Sequence, residues 1–391
     1  MQNPTGFWPY HYLLSSAIIT LKPMKKIQEL FKKPLLHFNK WFSRHNPIIF
    51  IATIVLIIFV GGNIIIVFAT QGDASTTAIP LSKLFVSKPK PVVPPTYYSP
   101  LTGTAYSDES LTKRPVTGIM IENSPDARPQ SGLKNSGVVF EAIAEGGITR
   151  FLVLYQAEQP QLIGPVRSLR LYDIDWLAAF NSSIGHVGGS LYALNEIRNG
   201  SYRDIDQFFN PNTYWRSNDR NAPHNVYTSF ANLDALNTAK GYTSSSFTGF
   251  TRVDGKKSDT PNATDIDITI SSYLYNSNYK YNAEANNYAR SQAGEPHTDR
   301  EDGQITPSVV IALRVDESTV MQDGYRESIT TVGSGAATIF QNGTATAATW
   351  SKSSKTEQIK FRDSDGKDIP LVRGQTWITA VPNNEGDVTW K

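Results

Sequence analysis

The sequence predicts an α/β domain followed by a mostly β domain, both held outside a membrane by one transmembrane helix. Three observations predict this. An uncharged apolar run occupies 48–70, strand-like and helix-like segments alternate over 100–235, and beyond 265 short apolar runs alternate with turn pairs.

Residues 1–47 form a basic tail, with Lys22, Lys25, Lys26, Lys32, Lys33, Lys40 and Arg44 against Glu29. The following "IIFIATIVLIIFVGGNIIIVFAT" has the length a bilayer core requires of a helix, and its basic flank places the N-terminus in the cytoplasm. A cleaved signal peptide is the competing reading, since "VFA" would suit a peptidase, but the apolar run is long and starts late. Met24 opens "MKKIQELFKK", which reads as a natural start and would make 1–23 a mis-called extension. Residues 71–99, with Pro80, Pro89, Pro91, Pro94 and Pro95 among Ser, Thr and Lys, read as a semi-rigid spacer.

In the first domain, "VTGIMIE" (116–122), "GVVFEAIAE" (137–145) and "ITRFLVLYQ" (148–156) read as strands, the last apolar enough to be covered on both faces. "SLRLYDIDWLAAF" places Leu169, Tyr172, Trp176, Leu177 and Phe180 on one helical stripe with Ser168 as N-cap. "LYALNEIRNG" reads as a second helix, capped by Ser190 and closed by Gly200. Residues 236–264 are Ser-, Thr- and Asn-rich and read as a linker or long loop. Over 265–391, "DIDITIS", "SVVIALRV" and "TWITAVP" are strand candidates, with turns at Asn342-Gly343 and Asp365-Gly366.

Composition excludes several classes of function. A net charge of +2 is too balanced for a nucleic-acid binder. The absence of cysteine removes disulfides, thiolate metal sites and cysteine nucleophiles. H-E-x-x-H, Walker A and Rossmann signatures are all missing, and "GGSLY" lacks the closing glycine of a nucleophile elbow. No cofactor is expected, and a divalent metal held by carboxylates enters only with an enzymatic reading.

The charged residues are more informative. Arg167 and Arg170 sit at an expected helix start, where the backbone dipole is already positive, so something negative belongs beside them. It is either an internal partner, Glu141 or Glu145, or an external anion. The Gly188-Gly189-Ser190 turn offers a second helix start suited to phosphate or carboxylate, and Arg128, Arg150 and Arg220 could complete a cluster. The alternative is that these arginines form buried ion pairs that fix loops.

Glu141 and Glu145 would lie about 13 Å apart on one strand face, too far for a glycosidase pair, although Glu122 could join either across strands. His186 and His224 are each either a general acid–base or a loop histidine bonded to backbone. His297, Asp299 and Asp302 in "PHTDREDG" form a loose nitrogen–oxygen set that reads as a surface turn.

The stretches "IENSPDARPQSGL", "AEGGITRFLVLY", "IGPVRSLRLYD", "HVGGS", "APHNVY", "NNYARSQAGEPHTD" and "DGKDIPLVRGQTWITAVP" resemble, in order, the YerB-like family of bacterial extracytoplasmic lipoproteins. The resemblance covers 100–391. It implies a two-domain envelope protein of undefined biochemistry and supplies no catalytic residues. Members are commonly anchored through a lipid-modified cysteine, which this chain lacks. "GPVRSLR" after an apolar strand also resembles the layout, though not the motifs, of LytR-CpsA-Psr phosphotransferases.

The expectation is a membrane-tethered envelope protein whose first domain binds an anion: a cell-wall glycopolymer, a peptidoglycan peptide carboxylate or a lipid phosphate. An enzyme acting on polyprenyl-linked or phosphodiester substrates is the alternative. A third reading is a scaffold with envelope protein partners.

Overall fold

Thr117–Glu122 (β1), Val138–Glu145 (β2) and Ile148–Tyr155 (β3) form at the three apolar runs, and β3 pairs antiparallel with both others. Gly146 and Gly147, at φ 55° and 75°, make the tight turn between β2 and β3. Ser183–Gly185 (β4) joins β1 in parallel, and Arg203–Asp204 (β5) joins β4 in parallel. Residues 96–319 and 326–391 are described in this computed structural model.

The helices here are few and short: Leu171–Ala178 (α1), Leu191–Asn199 (α2) and Phe230–Ala239 (α3), beside a single turn at Glu109–Thr112. The Ser190 hydroxyl accepts from Ala193 N and caps α2, as its sequence suggests.

Farther along come Asp265–Thr269 (β6), Ser277–Asn282 (β7), Asn287–Gln292 (β8), Glu295–Pro296 (β9) and Val309–Val315 (β10). Gly333–Gln341 (β11), Thr344–Lys352 (β12), Lys360–Arg362 (β13), Thr376–Pro382 (β14) and Asp387–Trp390 (β15) follow. A five-stranded sheet has the order β9-β8-β7-β6-β15, and a ten-stranded sheet has the order β13-β12-β11-β10-β14-β2-β3-β1-β4-β5. The large sheet therefore takes five strands from each half of the sequence. Its seam is the parallel pairing of β14 with β2, Thr376 opposite Val138.

These strands correct the expected α/β class. The fold is mostly β. The long apolar β3 is buried as expected, but its neighbours run antiparallel to it, and strands from the second half extend the sheet beyond β2. Leu152, Phe140, Trp176 and Ile378 pack on one side of the sheet; Phe151, Val153, Tyr279 and Trp377 pack on the other. The transmembrane helix expected at 48–70 lies outside the described residues. Among the described residues, no helix is long and apolar enough to cross a membrane.

Candidate functional site

The C-terminal end of β1 delivers Glu122 to the edge of a polar cleft. The strand passes into Asn123–Gln130, the loop 217–225 lies alongside, and a second-half turn closes the far side, where Arg300 N donates to Gln130 O at 2.8 Å. Together they enclose about 560 Å³ lined by Asp126, Arg128, Asp219, Arg220, Asn221, His224 and Arg300.

Glu122 is the centre of a hydrogen-bonded group. Its Oε1 lies 3.0 Å from His224 Nδ1, accepts from Ser124 Oγ at 3.0 Å, and is 3.3 Å from Arg167 Nε. The other oxygen, Oε2, is buried and accepts no hydrogen bond. The Glu122 side chain is 5% exposed, whereas that of His224 is 22% exposed. His224 Nε2 has only Asp126 Oδ2 near it, at 4.0 Å, beyond hydrogen-bond reach. One imidazole nitrogen is therefore fixed inside and the other is free.

The arginines around it are held in an unusual way. Arg220 donates to the carbonyls of Asp126 (2.8 Å), Arg128 (3.2 Å) and Pro129 (2.5 Å). Arg128 donates to the carbonyls of Asn123 (2.8 Å) and Leu274 (2.9 Å), and its guanidinium lies 5.3 Å from the Tyr275 ring centroid. Burial draws the Arg128 pKa below the ordinary arginine value. Carbonyl dipoles fix both side chains but do not cancel their charge, and neither meets a carboxylate in an ion pair. Arg300 does, on Asp219 at 2.5 Å, and its hydrogen bond holds that carboxyl below the usual aspartate range. Three guanidiniums thus face two carboxylates, Asp126 and Asp219, along the cleft.

The other residues singled out from sequence lie elsewhere. Arg150 and Arg170 both close on Glu145, the former at 3.1 Å, and Arg170 Nε also meets it at 3.0 Å. Burial opposes ionisation of Glu145, but the two guanidiniums outweigh it and hold its pKa low. Arg167 instead pairs with Glu122, 3.3 Å from its Oε1.

Glu141 is fully buried and receives Arg290 at 2.7 Å and Trp377 Nε1 at 3.0 Å. Arg290 also donates to His297 Nδ1, whose Nε2 donates to Gln130 Oε1 at 3.0 Å. Burial, reinforced by Arg290, pushes the His297 pKa well below its ordinary value and keeps it neutral. Asp299 accepts from Lys134 N and Glu301 N, so "PHTDREDG" is a docked turn.

His186 is buried between Gly188 O (2.8 Å) and Asp204 (3.0 Å), and Gly188 N donates to Asp206. Gly189 bridges Leu169, and Ser190 caps α2, so the groups of the glycine turn are already bonded within the protein. Among the described residues, no group of three or more His, Asp or Glu is arranged to hold a metal ion.

Sequence reasoning named Arg128, Arg167, Arg220 and His224 separately and treated Glu122 as an accessory. It missed Ser124, Asp126, Asp219 and Arg300. The signal was nonetheless present: "IENSPDARPQ" and "DRNAPHNVY" are polar runs, each punctuated by proline, and each places charged residues in the cleft lining, while "GPVRSLR" supplies the arginine that pairs with Glu122.

A family model described as "Protein of unknown function (DUF3048) N-terminal domain" matches residues 101–243. One described as "Protein of unknown function (DUF3048) C-terminal domain" matches 266–378. The chain is 32% identical over 293 residues to the Bacillus subtilis (strain 168) protein named "Putative lipoprotein YerB", covering 73% of this chain and 86% of that one. It is also similar to the crystal structure of YerB protein from Bacillus subtilis, with a TM-score of 0.67 and 29% identity, covering 75% of this chain and 99% of that one.

Proposed function

The chain belongs to the DUF3048 family, and on that premise we propose that it is an envelope protein whose Arg128–Arg220–His224 cleft binds an anion outside the cell membrane. The extracytoplasmic placement is supported by the name of the Bacillus relative, a lipoprotein. This chain has no cysteine for a lipid, so attachment would run through 48–70. Suitable ligands are a cell-wall glycopolymer, a peptidoglycan peptide carboxylate or a lipid phosphate.

One observation carries the reading. Among the described residues, Arg128 and Arg220 donate their hydrogen bonds to carbonyl oxygens and neither forms a salt bridge, so their charge is offset only at a distance by carboxylates such as Asp219.

Residues 90–391 form one compact unit and suit a direct test. Calorimetric titration would use poly(glycerol phosphate), stem peptides and vesicles carrying polyprenyl phosphate. Arg128→Ala and Arg220→Ala should each weaken binding about tenfold or more, the worth of a charge-assisted hydrogen bond. Unchanged affinity in both would remove the cleft from the role.

The closure of Arg150 and Arg170 on Glu145 favours a second reading, a non-catalytic scaffold for envelope machinery. That reading requires co-purifying protein partners whose binding is indifferent to Arg128 and Arg220.

A further inference from the structure

We propose that Glu122 and His224 form a proton-transfer pair that hydrolyses a phosphodiester bound in this cleft. The inference rests on the anion-binding reading above and adds chemistry to it. Four features support it.

First, Glu122 fixes His224. A carboxylate 3.0 Å from Nδ1 holds the proton on that nitrogen and leaves the Nε2 lone pair available, the arrangement by which a carboxylate orients a general base. Second, Nε2 is the ring nitrogen nearer Asp126, a residue of the cleft lining, at 4.0 Å. His224 lines the cleft, its Nδ1 is committed to a nearly buried carboxylate, and no hydrogen-bond partner occupies Nε2. Third, Glu122 is itself braced by Ser124 and Arg167, so the imidazole is oriented by a fixed group. Fourth, Glu122 Oε2 is buried and accepts no hydrogen bond, so the carboxylate's hydrogen bonds all fall on the oxygen that faces His224.

The surrounding charge selects the substrate. Two carbonyl-anchored guanidiniums can straddle the two non-bridging oxygens of a phosphodiester, and they stabilise charge that grows on those oxygens during displacement. A two-carboxylate sugar hydrolase does not fit, because Glu122 is committed to His224. Ser124 is a positioning residue: its hydroxyl donates to Glu122.

In the step itself, a water oxygen attacks phosphorus while His224 Nε2 takes one of its protons. The bond from phosphorus to the leaving oxygen breaks, and the imidazolium returns that proton to the departing alkoxide. One phosphodiester and one water give one phosphomonoester and one alcohol, with the protein restored.

The test uses residues 90–391, with bis(p-nitrophenyl) phosphate for turnover and inorganic phosphate for binding. The wild type should bind phosphate and release p-nitrophenol. His224→Gln should cut the rate at least about a hundredfold, as expected on removing a general base, while the melting temperature stays near wild type and phosphate affinity falls far less than the rate. Glu122→Gln should cut the rate with little change in phosphate affinity.

Nitrogen-15 NMR of the wild type provides a check independent of variant folding: His224 should carry its proton on Nδ1, and the opposite tautomer would overturn the proposal. Phosphate binding without turnover, or turnover unchanged in His224→Gln, would overturn the chemistry and leave the binding reading intact. Failure to bind phosphate or any of the glycopolymer, peptide and vesicle probes would overturn both.

Discussion

Arg290 Nη2 lies 2.7 Å from Glu141 Oε2, with neither side chain exposed and the two residues 149 positions apart in sequence. The pair ties β8 of the five-stranded sheet to β2 of the ten-stranded one. The surrounding bonds to Tyr279, His297, Gln130 and Trp377 explain how two charges persist without water.

Removing one partner strands the other charge. Arg290→Met or Glu141→Gln should lower unfolding stability by about 3–5 kcal/mol in urea titrations. The double variant should lose less than the sum of the two, because neither charge is then left alone.

Glu145 should behave as an acid-sensitive clamp. Its pKa is held below the ordinary glutamate value in the folded chain, so its stabilisation is present above about pH 4.5 and is lost as pH falls through the lowered value. Glu145→Gln should cost about 3 kcal/mol at neutral pH by leaving Arg150 and Arg170 unpaired. The melting-temperature deficit of the variant should shrink as pH falls below about 4.5 and through the lowered value. A constant difference across that range would refute the assignment.

Glu317 should show the opposite sign. Burial, with Glu327 and Glu385 adding repulsion, raises its pKa to about 8. The protonated form is favoured on folding, so stability present below the ordinary glutamate value declines as pH rises through about 8. Glu317→Gln should therefore raise the melting temperature at pH 9 and flatten its dependence on pH.

The β2–β3 turn offers a backbone test. Gly147 has φ +75°, and a Cβ there would sit 2.6 Å from Ser271 Oγ. Gly147→Ala should cost more than about 1 kcal/mol in thermal unfolding, from left-handed strain plus the contact.

Much of the local structure was legible. Apolar runs gave the positions of β1, β2 and β3, Ser190 and Gly200 marked the ends of α2, and Asn342-Gly343 marked the β11–β12 hairpin. The class was not legible, because burial on both faces is equally compatible with parallel or antiparallel neighbours. Gly146-Gly147 carried the missing information, as a two-glycine turn closes a hairpin.

The site was half legible. Arg128, Arg220 and His224 are conspicuous in their motifs, but nothing local distinguishes Arg167, which faces Glu122, from Arg170, which turns to Glu145. Only the tertiary pairing separates them. Arg300 was hidden for the same reason, since it reaches the cleft from the other half of the chain.

The position of β14 has a consequence for biogenesis. This strand sits between β10 and β2, and in sequence it comes far after the β2 strand that it pairs with. A chain delivered amino end first keeps the Val138 edge of its nascent sheet unpaired until Pro382 emerges, so closure waits on a contact of very high sequence separation. Until that contact forms, the open edge is available for self-association, so the topology itself links late closure of the sheet to a risk of aggregation.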